Sequence, residues 1–194
     1  MSFKSKSHEI CSFKQLRKLN YIYPMKNILK TITLVALLIV GVSCKTNKYS
    51  FVNEYPVKNV PLVDSTNFSN HVEGKLLSKE EQALLKLPSI FEEQLENEKA
   101  KIGISYIPKI SNNFQSVVYY FYPSNTEVIS MLVNYDKDFT IINSQILAYD
   151  EIADGILQTT SKLDKNRIEL TEYVSDNPST LFFKILDNGD ITRE

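Results

Sequence analysis

Nucleophilic chemistry has little to work with in this chain, which holds two cysteines, Cys11 and Cys44, and two histidines, His8 and His71, among its 194 residues. A Ser-His-Asp or Cys-His device needs an imidazole beside its nucleophile. After Cys44 only His71 could supply one, and it stands in a polar stretch with no G-x-S-x-G turn anywhere. It therefore reads as a surface histidine. Zinc would have to rely on carboxylates for the same reason. Gly74, Gly103, Gly155 and Gly189 are too scattered to form a phosphate-cradling loop. The sequence points to no cofactor. Asp and Glu are abundant, so a hydrolase with paired carboxylates stays open as the alternative. A cation site would draw on Asp136, Asp138, Asp150, Glu151 and Asp154, since hard cations need several oxygens. Those residues, however, bracket a strand read from Phe139 to Tyr149 and would lie ~30 Å apart. Asp at such positions is the ordinary turn former.

Tyrosine is the other reactive type, and the runs around it are β-prone. Tyr119, Tyr120, Tyr122, Tyr135 and Tyr149 are singled out as a candidate binding surface, because Tyr combines an apolar ring with a hydrogen-bonding tip. Two similar stretches, Leu132 to Lys137 and Ile146 to Glu151, each end a strand with Tyr followed by Asp. They repeat a hairpin pattern rather than a domain.

The most specific text lies upstream. Lys26 and Lys30 precede an apolar run from Ile32 to Val42, and small residues at Gly41 and Ser43 lead to Cys44. The run is about half the ~20 residues a membrane-spanning helix needs, which suits the core of a signal peptide. Gly41-Val42-Ser43-Cys44 resembles the bacterial lipobox, with Gly41 where Leu is usual, and the relaxed form resembles small lipoproteins of the Bacteroidota type. The resemblance implies cleavage before Cys44, a lipid on its sulfur and, with Lys45 rather than Asp next, sorting to the outer membrane. It brings no activity with it. Residues 1–24 are polar and basic and precede Met25, a normal signal-peptide start, so they read as an extension from a start codon placed too early. The domain plan is then 1–24 extension, 25–43 signal peptide, 44–72 lipidated cysteine and tether, and 73–194 a single domain. Tyr49, Phe51, Tyr55 and Phe68 are more aromatic than a free linker needs, so the part of the tether after Pro56 is expected to dock on the domain edge.

Residues 1–44 hold seven of the chain's 22 basic residues and one of its 23 acidic ones, which leaves the part after Cys44 at −7. That balance argues against nucleic acid and against electrostatic adhesion to anionic lipid. With Cys44 acylated, the exported part has no thiol for a disulfide, so its core must hold it.

The elements that would position any site are legible as patterns. Ser78-Lys79-Glu80-Glu81 is a capping box that opens a helix. Pro88 ends or kinks it, and an amphipathic helix from Ser89 to Lys101 carries Glu92, Glu93, Glu96 and Glu98 on one face. Strands are predicted at 102–107, 115–122, 127–135, 139–149, 155–163, 167–174, 180–186 and 190–193, separated by turn residues. Val117 to Tyr122 is apolar on both faces, as a strand covered on each side should be. The expected fold is α+β: an antiparallel meander of about six to eight strands with one or two N-terminal helices packed on it. The expected role is a lipid-anchored envelope module that binds a peptide or an envelope protein.

Overall fold

The computed structural model describes residues 48–194 except 72, 96–99, 153–156 and 176, and the backbone alone at 92–95. Residues 1–47, with the signal segment and Cys44, lie outside the described residues, as do Asp154 and the Glu96 and Glu98 part of the expected acidic helix face.

The strand read as covered on both faces sits between two cores. It spans Gln115–Ser124 (β4), and its residues Ser116 to Phe121 are all buried. Its neighbours are Lys101–Lys109 (β3) and Glu127–Tyr135 (β5), and beyond β5 runs Ile141–Glu151 (β6), all antiparallel. Because successive side chains alternate between faces, Val117, Tyr119 and Phe121 enter one core with Leu85, Leu87 and Phe91. Val118 enters the other with Tyr106, Leu132, Leu147, Leu163, Ile168 and Ile185. The second core is closed by Leu157–Leu163 (β7), Arg167–Val174 (β8), Asn177–Ile185 (β9) and Ile191–Arg193 (β10), which continue the same sheet. Asn134 ties the halves together, donating through Nδ2 to the Gly189 carbonyl at 2.8 Å in a buried bond. Gly189 has φ +91°, and a Cβ there would come within 2.9 Å of Ile142 and Phe114, so the turn needs glycine twice over.

Two strands lie in the stretch expected to be a tether. Val57–Asn59 (β1) runs parallel to β3, and Leu62–Asp64 (β2) pairs antiparallel with β7. The turn at Val60 and Pro61 joins them, so this short segment links one edge of the sheet to a strand far along it. A 3-10 turn at Ser50–Glu54 precedes them, with Val52 buried and Tyr49 stacked on Phe139 at 3.9 Å. The compact unit begins at Asn47 rather than at residue 73. The described residues ahead of 73 are therefore part of the compact unit, which extends the expected docking after Pro56 back to the turn at Ser50–Glu54.

The α+β class stands, with ten strands among the described residues instead of six to eight, and one parallel pairing there in an otherwise antiparallel sheet. The helices come after β1 and β2 rather than leading the domain. Lys79–Leu84 (α1) has its capping box: Ser78 Oγ accepts from Glu81 N–H at 3.2 Å, and Glu81 Oε2 accepts from Ser78 N–H at 2.7 Å. Pro88 opens the next helix, Pro88–Leu95 (α2), in the first-turn position where its missing N–H costs nothing. That helix does not run to Lys101, where β3 already begins. Nor does β6 start at Phe139, whose φ of 55° turns the chain so that its ring joins the helix-side core. No helix among the described residues is long and apolar enough to cross a membrane.

Candidate functional site

The singled-out tyrosines do not form one surface. Tyr119 and Tyr135 are wholly buried on the helix side, their hydroxyls 2.9 Å apart, and the Tyr135 hydroxyl donates to the Leu85 carbonyl at 3.1 Å. Burial pushes both phenols up, well above the ordinary tyrosine range. They are core residues, which corrects their reading as a binding surface. Tyr149 is half-buried near the far end of β6, its hydroxyl 3.0 Å from Glu127 Oε1 and 2.9 Å from Glu151 Oε2. Glu127 and Glu151 face each other across β5 and β6, and one phenolic proton cannot serve both at once. The Asp136 carboxylate accepts from the amides of Asp138 and Thr140, at 2.9 and 2.7 Å, and those bonds hold it below the usual carboxylate range. It is the turn former expected. Among the described residues no three His, Cys, Asp or Glu side chains are placed to share a metal.

Tyr120 and Tyr122 belong to a different arrangement, centred on residues 64–77. Asp64 ends β2 inside the protein, only 4% exposed. Its Oδ2 accepts from the Tyr106 hydroxyl at 2.8 Å and from Ser130 Oγ at 2.7 Å, while Oδ1 accepts from Thr66 N–H at 3.1 Å and Thr66 Oγ1 at 2.7 Å. A buried carboxylate without a cation needs this many donors. The chain after it is knotted by Asn67 and Asn70. Asn67 Oδ1 takes the amides of Ser69 and Asn70, and both asparagine side chains donate to the Ser65 carbonyl. Phe68 N–H then donates to Asp150 Oδ2 at 3.0 Å, which fastens the knot to β6.

From there His71 lies against two rings, 4.7 Å from Tyr120 and 5.5 Å from Tyr122. It is half-buried rather than a surface group, and its Nε2 is buried without a hydrogen-bond partner. Burial lowers its pKa against the pull of Glu73 and Asp64. Tyr120 donates to the Gly74 carbonyl at 2.9 Å, and its phenol is pushed up to about 12, chiefly by burial. Its ring lies on Gly103, where a Cβ would meet ring atoms at 2.3 Å. Leu76 then bridges to Gly103, and Leu77 N–H donates to the Ile102 carbonyl.

The edge of β3 is thus held at one end by residues 76–77 and at the other by β1. Between them Ser105, the extra residue of a β-bulge, interrupts the pairing with β4. A cleft of about 380 Å³ opens there, lined by Tyr55, Lys58, His71, Lys75, Tyr106 and Tyr120 among others. Lys58 Nζ sits 4.1 Å from the centre of the Tyr106 ring. Tyr55 contributes a second buried and unpartnered polar atom, its hydroxyl. Burial and the charges of Glu81 and Glu54 raise its pKa. An unpaired buried polar atom costs roughly 1–3 kcal/mol; of the three among the described residues, Tyr55 Oη and His71 Nε2 belong to walls of this cleft and Ser161 Oγ on β7 does not. On the other side of the His71 ring pair, Phe68, Glu73, Lys101 and Tyr122 line a smaller hollow of about 200 Å³.

Sequence reasoning passes over this site because its parts come from 50 residues apart and none is a motif. Aromatic residues in the supposed tether, Tyr55 and Phe68, are the one available signal. Neither a protein-family model, nor a curated protein, nor a solved structure matches the chain.

Proposed function

We propose that the protein is a lipid-anchored binding module of the cell envelope, held at the outer membrane through Cys44, that takes its ligand in the cleft at the β3 edge. One observation carries the reading: a concave site at the β3 edge that brings Tyr55, the His71 ring and two lysines together, with Tyr55 Oη and His71 Nε2 buried without partners in its walls. Binding sites combine apolar walls with a few polar groups in this way. The alternative, a carboxylate hydrolase, would use Glu127 and Glu151, which share the Tyr149 hydroxyl and do not line the cleft at the β3 edge.

The test is lysine footprinting with an acetylating reagent, read by mass spectrometry, on intact envelopes and on the purified full chain. Protection of Lys58 and Lys75 in envelopes, with Lys184 on β9 equally reactive in both, is the expected outcome. Equal reactivity of Lys58 in both preparations counts against a ligand in the cleft. The same spectra report the mass of the peptide that begins at Cys44, and release of the protein by Cys44→Ala checks the anchor.

A further inference from the structure

The cleft's charge indicates what it would hold. No Asp or Glu stands among the described residues that line it, whereas Lys58 and Lys75 do. Of the carboxylates nearby, Glu54 is exposed beside Tyr55 and outside the lining, and the other three are engaged. Asp64 is saturated by Thr66, Tyr106 and Ser130. Glu73 pairs with Lys101 at 3.0 Å. Glu81 accepts from the amide of Ser78 and also pairs with Lys75 at 3.7 Å, an ion pair whose ammonium stays exposed. Lys58 makes no ion pair among the described residues and instead caps a ring face, an attraction worth less than a charge-assisted hydrogen bond. The rest of the wall is mixed, with Thr66, Asn70 and Ser105 beside the apolar surface of Tyr55 and Pro56.

Resting on the reading of the cleft as a ligand site, we propose that the ligand is an amphipathic carboxylate. Its anionic group lies between Lys58 and Lys75, and its apolar body lies against Tyr55 and Pro56, the more exposed apolar residues of the wall. A small organic acid and the free C-terminus of a peptide share this chemistry.

The matched probes are N-acetylphenylalanine and N-acetylphenylalaninamide, which differ only in the carboxylate, titrated calorimetrically into the full chain in detergent. A pool of tetrapeptides with free C-termini, against the same pool amidated, asks whether the source is a chain end. The acid should bind at least about tenfold more tightly than the amide, as expected for hydrogen bonds to a charged group. The Lys58→Gln/Lys75→Gln double variant, which changes two exposed side chains, should erase that preference. Tighter binding of the acid-terminated pool than of N-acetylphenylalanine assigns a chain end, and the reverse assigns a small acid. Equal binding of acid and amide overturns the inference, as does an acid preference that survives in the double variant, or binding of no probe. In each of those cases protection of Lys58 in envelopes still upholds the cleft as a binding site, so the two readings fail separately.

Discussion

Gly103→Ala offers a sharp test of how the site is held. A Cβ at position 103 would lie 2.3 Å from Cζ and Oη of Tyr120 and 2.5 Å from Cε1, whereas ordinary contact is 3.4–4 Å. The ring must therefore move by about an ångström, although it is packed to 1% exposure. Overpacking of this kind costs about 1–3 kcal/mol. Movement of the ring also breaks the bond from Tyr120 to the Gly74 carbonyl, worth about 1 kcal/mol. Against this, Ala gains roughly 0.5–1 kcal/mol over Gly in a strand interior. The net expectation is a loss of about 2 kcal/mol in urea unfolding. Gly74→Ala is the control: its Cβ would meet the same ring at 3.7 Å, so it should stay within about 0.5 kcal/mol of wild type. In a Tyr120→Leu background, which lacks the clashing atoms, Gly103→Ala should cost nothing further, giving a coupling energy above about 1 kcal/mol. A Gly103→Ala protein as stable as wild type would refute the reasoning, because it would mean that Tyr120 does not rest on that glycine.

Other consequences can be measured in the same way. Asp64→Ala leaves the Tyr106 and Ser130 hydroxyls buried without an acceptor and should cost about 3–5 kcal/mol, against about 1 kcal/mol for Tyr106→Phe; comparable losses in the two variants would speak against a shared carboxylate. His71 titrates below its ordinary value of ~6.5, so the unfolded chain takes up a proton first. Its contribution to stability is full above that value and declines as pH falls towards the lower folded pKa, where it levels off. Unfolding free energies at pH 7.5 and 5.5 should show this fall in wild type and a smaller one in His71→Phe, and identical slopes would argue that His71 is not buried against Tyr120 and Tyr122.

How much of this is legible in the sequence depends on the range of each interaction. The capping box at Ser78 and Glu81 acts across three residues and is readable in full. The run Val117 to Tyr122 announces a strand covered on both faces, and the β5 and β8 limits match those predicted, since both have turn residues at each end. By contrast β1 and β2 are three residues each, too short to show a period, and they are defined by partners at Ile107 and Lys162, far along the chain. Tyr119 and Tyr135 look like surface candidates because composition cannot reveal that each hydroxyl finds the other inside the core. His71 is placed by rings some 50 residues downstream, and Gly103 has meaning only once Tyr120 is opposite it. The cleft inherits this illegibility, being the space left where a bulge at Ser105 meets two segments that hold the same strand edge.

A benzophenone photo-crosslinking amino acid in place of Ser105, introduced into the full chain in living cells with and without Cys44→Ala, addresses the assignment most directly. With Cys44 intact, irradiation should yield an adduct in the membrane fraction that is absent when the same crosslinker replaces the exposed Thr192 of β10, and Cys44→Ala should abolish it. No adduct from position 105, or the same adduct from a soluble Cys44→Ala protein, would contradict a binding cleft held at the envelope by its lipid.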